Sequence, residues 1–208
     1  MNYLKLSHIL YFIIIIISLN LINEIKSSKS IRNGSFCLIE NINYENEYLT
    51  SSFDYDLMST QQNDGFKKRR VYTSSIKSDA ISFGQQLVWY LVAAPEKTNH
   101  NNQKHFYIMN PFFDLYLCAT SNYQDRFHRR RMLNLDKQRD NFNNNDNNCV
   151  WELEKKYDNN YEIWNVKYNS PMYAASFLFK KIQSEKRNVY LWSNLPDSNQ
   201  FLWNLQCN

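Results

Sequence analysis

One pattern occurs three times along the chain, and it limits the possible folds more than any other feature. In each occurrence Ile is followed two residues later by Asn, an aromatic residue stands three positions after the Asn, and a Tyr follows within five more residues. The three Asn–aromatic pairs are Asn41 and Tyr44, Asn110 and Phe113, and Asn165 and Tyr168. Self-similarity over a long period is typical of a fold built from repeated units.

The pattern continues beyond this first landmark in every copy. A basic cluster comes next and is followed at once by a short apolar segment, and each copy closes on an apolar residue, Trp, any residue and Leu. The closing tryptophans are Trp89, Trp151 and Trp203, which are 62 and 52 positions apart. Agreement at several landmarks in three copies is hard to ascribe to chance, so we interpret the chain as three copies of one unit.

Each landmark is a run of four to six residues in which apolar and polar side chains alternate. Ile39 shares its parity with Cys37, and Trp89 shares its parity with Leu91, which predicts short strands with one buried face. Helical periodicity is not sustained after the N-terminal segment. Four strands in each of three copies predict an all-β chain of twelve antiparallel strands. A β-trefoil closes such a threefold set, whereas a propeller usually needs four or more blades.

The predicted domain covers residues 35–208, with copies at about 35–93, 104–155 and 160–208. Residues 1–27 are interpreted as a signal peptide and pro-linker, because a basic start precedes an apolar run of about ten to fourteen residues, too short to span a membrane. An uncleaved anchor or a buried core helix is the alternative. Since no second apolar segment of spanning length follows, we expect a secreted protein without a transmembrane anchor after signal removal.

An even number of cysteines in an oxidising compartment favours two disulfides among three possible pairings. The first and last strands of a trefoil are neighbours, and Cys37 and Cys207 both have inward parity, which predicts the pairs Cys37–Cys207 and Cys118–Cys149. Because no C-x-x-C pair occurs, a zinc site is not expected. Asn33 begins an N-glycosylation sequon, Asn33-Gly34-Ser35.

The succession of Asn-aromatic and Tyr-Leu, then Arg with Val-Tyr, then Trp-x-Leu resembles the secreted β-trefoil modules of insects. Related modules include the C-terminal trefoil of microvitellogenin-type haemolymph lipoproteins and, more distantly, the ricin-B group. The resemblance implies the fold but does not choose among lectins, protease inhibitors, cytokines and lipid carriers. Ricin-B sugar sites are associated with Gln-x-Trp, and the residues two before the closing tryptophans are Leu87, Cys149 and Phe201.

Composition argues against an enzyme. Only 3 glycines occur, so the chain lacks the glycine-rich segment that a phosphate-binding loop or a dinucleotide-binding turn requires. The three histidines after the N-terminal segment, His100, His105 and His128, read as loop or surface imidazoles, and the cysteines are assigned to disulfides. We therefore expect no catalytic residues, no cofactor and no metal.

The five tryptophans fall into two groups. Trp89, Trp151 and Trp203 recur at one strand position and are predicted to fill a core layer. Trp164 and Trp192 are unique to the third copy, and Trp164 has the opposite parity to Ile163, so it should point away from the barrel interior. A covering loop or a binding partner could account for such a ring.

The functional hypothesis concerns the basic clusters, which precede the third strand of each copy. Arg69, Arg130 and Arg187 are aligned as equivalents, and a trefoil would gather the clusters on the triangular cap around its pseudo-threefold axis. The nine candidate residues are Lys67, Lys68, Arg69, Arg70, Arg129, Arg130, Arg131, Lys186 and Arg187. Such a cap would bind an anionic partner such as a glycosaminoglycan, an acidic lipid or a tissue glycan.

Other interpretations stay open. The basic clusters could instead form a solvated rim in which Asp64, Asp125 and Glu185 pair with them locally. A ricin-B-like lectin for neutral sugars and a protease inhibitor that presents residues 136–148 are alternative functions. Lys plus Arg exceed Asp plus Glu by 24 − 20 = 4, a mild excess from which no specific nucleic-acid partner is expected. The sequence leaves the oligomeric state undetermined.

Overall fold

The fold is all-β, with twelve strands that pair antiparallel in one continuous sheet, as predicted. The computed structural model describes residues 34–55, 69–75, 86–94, 105–123, 130–137, 147–178, 186–192 and 199–208. The first copy contains β1 (Ser35–Asn41), β2 (Glu47–Tyr55), β3 (Arg69–Ser75) and β4 (Val88–Ala93). The second contains β5 (His105–Asn110), β6 (Leu115–Tyr123), β7 (Arg130–Asp136) and β8 (Val150–Tyr157). The third contains β9 (Asn160–Asn165), β10 (Ser170–Leu178), β11 (Lys186–Trp192) and β12 (Leu202–Cys207).

The first and fourth strands of the copies form a closed six-stranded barrel. Going around it, β1 pairs with β4, β4 with β5, β5 with β8, β8 with β9, β9 with β12, and β12 again with β1. The closing pair places Cys37 directly opposite Cys207. Closure leaves the barrel without an unpaired edge, which an open sheet of this size would have.

The second and third strands of each copy form a hairpin, and the three hairpins form the cap of the barrel. The third strands pair with one another around the pseudo-threefold axis: β3 with β7, β7 with β11, and β11 with β3. This combination of closed barrel and triangular cap is the β-trefoil that the repeat predicted.

A layer of three tryptophans fills the barrel. Trp89, Trp151 and Trp203 are each 0% exposed, in agreement with the predicted core role. Each indole N–H donates a hydrogen bond to a backbone carbonyl of the second strand in its own copy, so that no polar atom of the ring is buried without a partner. The acceptors are Leu49 at 2.9 Å, Leu117 at 2.8 Å and Met172 at 3.0 Å.

The repeated Asn joins each copy to the preceding one. Asn110 is fully buried, and its amide nitrogen lies 3.0 Å from the carbonyl oxygen of Gln86 and 3.5 Å from that of Val88, at the entry of β4. Its side-chain oxygen accepts from the backbone N–H of Phe113 at 3.3 Å. Asn165 reaches the second copy in the same way, and Asn41 reaches the third. The invariant Asn of the repeat is therefore an inter-copy tie.

Asn and Asp replace glycine in the turns between the first two strands. Asn46, Asp114 and Asn169 occupy equivalent positions with φ of 61°, 52° and 45°. This left-handed conformation is costly for most side chains but tolerable for Asn and Asp. The repeat can thus make three tight turns although the chain contains only 3 glycines.

The structure contains the two disulfides Cys37–Cys207 and Cys118–Cys149. The first joins residues 170 positions apart and links the first strand of the barrel to its last strand. The second spans 31 positions within the second copy. Cys149 ends a short 3₁₀ turn, Asn147–Cys149, that leads into β8.

Several expectations fall on residues outside the described ranges. The proposed signal peptide and pro-linker at 1–27, the glycosylation sequon at Asn33, and the basic residues Lys67, Lys68 and Arg129 are among them, and they stay predictions. Within the ranges that are described, no helix has the length and hydropathy that crossing a membrane requires.

Removal of one inter-copy tie should destabilise the whole domain. We expect Asn110→Ala to lower the free energy of unfolding by about 2–4 kcal/mol, because two carbonyls and one N–H lose a buried partner. Asn43→Ala, at an exposed Asn of the equivalent turn region in the first copy, should change it by less than about 0.5 kcal/mol. Urea unfolding measures both. Equal effects of the two substitutions would contradict the assigned role.

The two disulfides should differ in their contribution to stability because they close loops of different length. Loop-closure entropy predicts losses of about 5 kcal/mol for Cys37→Ser with Cys207→Ser, and about 4 kcal/mol for Cys118→Ser with Cys149→Ser. Denaturant unfolding of the two double variants measures this order. A peptide map in which Cys37 is joined to Cys118 or Cys149 would overturn the pairing.

Candidate functional site

Strand alternation divides the basic clusters into two sets that face opposite ways. In β3 the side chain of Arg69 shares its face with the core residue Val71, whereas Arg70 lies on the opposite face. The inward set comprises Arg69, Arg131 and Arg187, which share parity with the core residues Val71, Leu133 and Val189. The outward set comprises Arg70, Arg130 and Lys186. We call the surface that carries the outward set the outer face of the cap.

The inward arginines make the same contacts in all three copies. Each Cζ lies over the aromatic ring that follows the repeated Asn of the next copy, and each Nη1 donates to a carbonyl of the second strand in its own copy. The ring contacts are Arg69 on Phe113 at 3.9 Å, Arg131 on Tyr168 at 4.0 Å and Arg187 on Tyr44 at 3.7 Å. The carbonyl acceptors are Ser52 at 3.1 Å, Ser121 at 3.0 Å and Ser176 at 2.8 Å. We call this arrangement the arginine clamp.

The arginine clamp corrects the sequence alignment by one residue. Arg130 was expected to be the equivalent of Arg69 and Arg187, but Arg131 makes the equivalent contacts. The register agrees, because Arg69, Arg131 and Arg187 lie opposite Tyr55, Tyr123 and Leu178, each after an irregularity in its hairpin. The second copy has three consecutive arginines, so spacing alone could not identify the inward one.

One member of the clamp also forms a partly buried ion pair. The Arg187 Nε lies 2.9 and 3.0 Å from the two carboxylate oxygens of Glu47, and the Thr73 hydroxyl donates to the same carboxylate at 2.7 Å. Glu47 is buried, and the equivalent positions in the other copies are Leu115 and Ser170. The first and third copies are thus joined by an extra charged contact.

Two of the three outward cations, Arg130 and Lys186, lie above tyrosine rings on the outer face of the cap. The Arg130 Cζ is 5.7 Å from the centre of the Tyr190 ring, and the Lys186 Nζ is 4.6 Å from the centre of the Tyr72 ring. Such contacts hold a cationic group over the ring face. Arg70, Arg130 and Lys186 are only half-buried, so their charges border on solvent.

The pKa of Tyr190 is affected both by its burial and by the outward arginines. Burial raises the pKa of Tyr190, and Tyr173 adds to the rise. The guanidinium groups of Arg130 and Arg70 act in the opposite direction, because positive charge favours the phenolate. With its pKa raised on balance, the phenol is protonated at neutral pH and can donate a hydrogen bond.

The three mutually paired strands carry a strong excess of positive charge. Together β3, β7 and β11 contain six Lys or Arg, two in each strand, and Asp136 is their one carboxylate. Arg187 is paired with Glu47 from β2. The acids expected to neutralise the clusters locally, Asp64, Asp125 and Glu185, lie outside the described ranges.

Sequence reasoning missed the partners of the clamp. Tyr44, Phe113 and Tyr168 were recognised as landmarks of the repeat but not as stacking partners for arginine, although each follows its Asn at a fixed spacing. Glu47 was not singled out, since it lies 140 positions from Arg187. The recurrence of an aromatic and an Arg in every copy was the available signal.

Two further side chains of the third copy, Trp164 and Gln200, donate hydrogen bonds to groups within the protein. Trp164 is half-buried outside the barrel core, as its parity predicted, and its indole N–H donates to Glu162 at 2.9 Å. The Gln200 amide donates to the Tyr44 hydroxyl at 2.6 Å, and its backbone carbonyl accepts from Asn41. Among the described residues, no group of three or more His, Cys, Asp or Glu is placed to hold a metal.

No protein-family model matches the sequence, and no curated protein matches it either. Solved structures do share the fold. A Caenorhabditis elegans protein with unknown function is 11% identical, with a TM-score of 0.62 over 84% of this chain and 94% of that one. A Culex salivary protein of the Cysteine and Tryptophan-Rich family is 16% identical, with a TM-score of 0.55 over 86% and 96%.

A lectin shares the fold as well. The Polyporus squamosus lectin, solved with a sialylated influenza-binding epitope, is 13% identical, with a TM-score of 0.56 over 85% of this chain. The match covers 50% of the lectin chain, so this protein spans about half the length of that relative. At these identities the similarity establishes the β-trefoil fold that the chain shares with lectins, and it does not establish a ligand.

Two adjacent arginines should respond differently to the same substitution. Arg131→Gln removes a ring contact and a charged hydrogen bond, so we expect a loss of about 1–3 kcal/mol in the free energy of unfolding. Arg130→Gln, on the outer face, should cost less than about 0.5 kcal/mol. Urea unfolding of the two variants measures the difference. A larger loss for Arg130→Gln would restore the original alignment of the copies.

Proposed function

We propose that the protein is a secreted, non-enzymatic binding protein that recognises an anionic partner through the outer face of the cap. The partner classes that match this chemistry are a glycosaminoglycan, an acidic lipid headgroup and an acidic tissue glycan. All of them present sulfate, phosphate or carboxylate groups, which guanidinium and ammonium groups bind through charge-assisted hydrogen bonds.

The observation that carries the proposal is the outward orientation of one cation from each copy. Arg70 comes from the first copy, Arg130 from the second and Lys186 from the third, and all three lie on strands that pair with one another. The ring contacts under Arg130 and Lys186 restrict the motion of these side chains. Restricted side chains lose less conformational entropy when a ligand binds.

The inward arginines are assigned no binding role. Arg69 is 8% exposed, and each member of the clamp is engaged by a ring and a carbonyl. Loss of heparin binding in an Arg69 variant would therefore report damage to the fold as much as loss of contact. This separation makes the hypothesis testable at the outward residues alone.

Secretion is part of the proposal. The apolar N-terminal segment and two disulfides in a small domain are typical of proteins that fold in an oxidising compartment. The kinship with insect secreted trefoils stays a hypothesis, since no family model supports it. A ricin-B-like route to neutral sugars is disfavoured because Gln200, the glutamine three residues before the closing Trp203, bonds within the protein.

The test is retention on immobilised heparin at increasing salt. We expect the variant Arg70→Gln, Arg130→Gln, Lys186→Gln to elute at clearly lower salt and to bind a heparin oligosaccharide more than about tenfold more weakly, because charge-assisted hydrogen bonds are lost. Its thermal unfolding should stay within a few degrees of the native protein.

A matched control removes the same charge elsewhere. Lys137, Lys155 and Lys167 are exposed residues whose replacement by Gln also lowers the net charge by three. This control should reduce retention only slightly, since an exposed charge outside the contact acts through screened, long-range attraction. Equal losses in the two triple variants would reject the cap as the binding surface, and retention that does not depend on salt would reject an anionic partner.

A further inference from the structure

The outward cations are arranged around one point rather than along a line. Where the third strands meet, Arg70 lies opposite Asn134, Tyr190 opposite Met132 and Asn188 opposite Tyr72. These six residues form a ring around the pseudo-threefold axis, which we call the axis ring. Because neighbouring strands are about 4.8 Å apart, the centre of the cap is only a few residues wide.

The remaining outward cations reach toward this ring. Arg130 begins β7 opposite Trp192, and its guanidinium extends over Tyr190, a member of the axis ring. Lys186 begins β11 opposite Ser74, and its ammonium extends over Tyr72, another member. Arg70 belongs to the axis ring itself. Cations from three copies therefore converge at the centre of the cap.

The axis ring also contains neutral polar groups. They are the phenols of Tyr72 and Tyr190 and the amides of Asn134 and Asn188, with Met132 as its one apolar member. Tyr72, Asn134 and Tyr190 are buried, and the Tyr72 hydroxyl donates to the carbonyl of Ser51 at 3.4 Å. Both Arg70 and Arg130 act electrostatically on the Tyr190 phenol, which agrees with their placement near the axis. The half-buried cations are therefore the groups of this region that a ligand would meet.

We infer that the axis ring, with Arg130 and Lys186, binds one compact ligand that carries several phosphate or sulfate esters on a single small ring, in preference to an extended polyanion. This inference rests on the proposed function and names its ligand class. A linear chain places its charges in a row, so only part of them can face a convergent set of cations. A ring of esters directs charges to several sides at once and matches cations that approach from three copies.

Convergence also strengthens the electrostatic attraction between the cations and a single bound anion. An anion placed among cations that approach from three copies lies at short distance from all of them, and the attraction between charges grows as their distance falls. The inward arginines cannot contribute, since they lie on the opposite face of the strands. We therefore expect one ligand per protein, seated on the axis, and not one ligand for each copy.

The experiment compares two probes with the same number of phosphates. myo-Inositol hexakisphosphate is compact, and a linear polyphosphate of six phosphates is extended. We expect calorimetric titration of the full protein to give one site for the compact probe and at least about tenfold tighter binding than for the linear one. Binding of both should weaken strongly in the variant Arg70→Gln, Arg130→Gln, Lys186→Gln.

The outcomes separate this inference from the proposed function. Suppose that heparin retention depends on the outward cations but that both probes bind equally, or that the compact probe binds at three sites per protein. The inference of one compact ligand on the axis is then wrong, and the proposal of an anion-binding cap is retained. If the outward cations affect neither heparin nor the probes, the proposed function itself is wrong. Tighter binding of the compact probe at one site, lost in the variant Arg70→Gln, Arg130→Gln, Lys186→Gln, supports the inference.

Discussion

The structure depends on ties that run from each copy of the repeat to the next and return to the first. The buried Asn of one copy holds the entry of the fourth strand in the copy before it, and the clamp Arg of one copy covers the aromatic ring of the copy after it. Neither contact exists inside a single copy. The tryptophans complete each copy internally, but the Asn and Arg contacts require all three, so the domain is expected to fold as one cooperative unit.

The same ties explain how a chain so rich in polar residues stabilises a barrel. Each Asn amide and each clamp guanidinium saturates carbonyls at places where the sheet ladder is interrupted, and a buried carbonyl without a partner would cost about 1–3 kcal/mol. The disulfide between Cys37 and Cys207 adds a covalent link where the cycle closes. Glu47 strengthens the same junction, because its carboxylate joins the first copy to Arg187 of the third. The first and last strands of the domain are therefore held together by more than the contacts that every copy repeats.

Much of this architecture was predictable from the sequence, and the limits have a physical cause. The landmarks of the repeat and the period-two alternation predict the twelve strands, the buried tryptophans and the meeting of the first and last strands. The face of the strand on which an individual arginine side chain lies was not predictable, because a shift of one residue in the alignment moves the side chain to the opposite face. The run Arg129-Arg130-Arg131 is followed by two consecutive apolar residues, Met132 and Leu133, so the residues next to it do not by themselves identify the inward arginine. The Glu47–Arg187 pair spans the whole domain, and no local pattern marks it.

Comparison of the three copies shows where a function can be carried by this fold. The inward clamp position is Arg in every copy, as Arg69, Arg131 and Arg187, because each guanidinium contacts an equivalent aromatic ring and carbonyl. Positions that face outward have diverged: the equivalents of Arg70 are Met132 and Asn188, and those of Tyr72 and Tyr190 include Asn134. A ligand that sits on the axis meets three different copies at once, so each copy can supply a different group to it while the inner layer keeps the symmetry that holds the barrel closed.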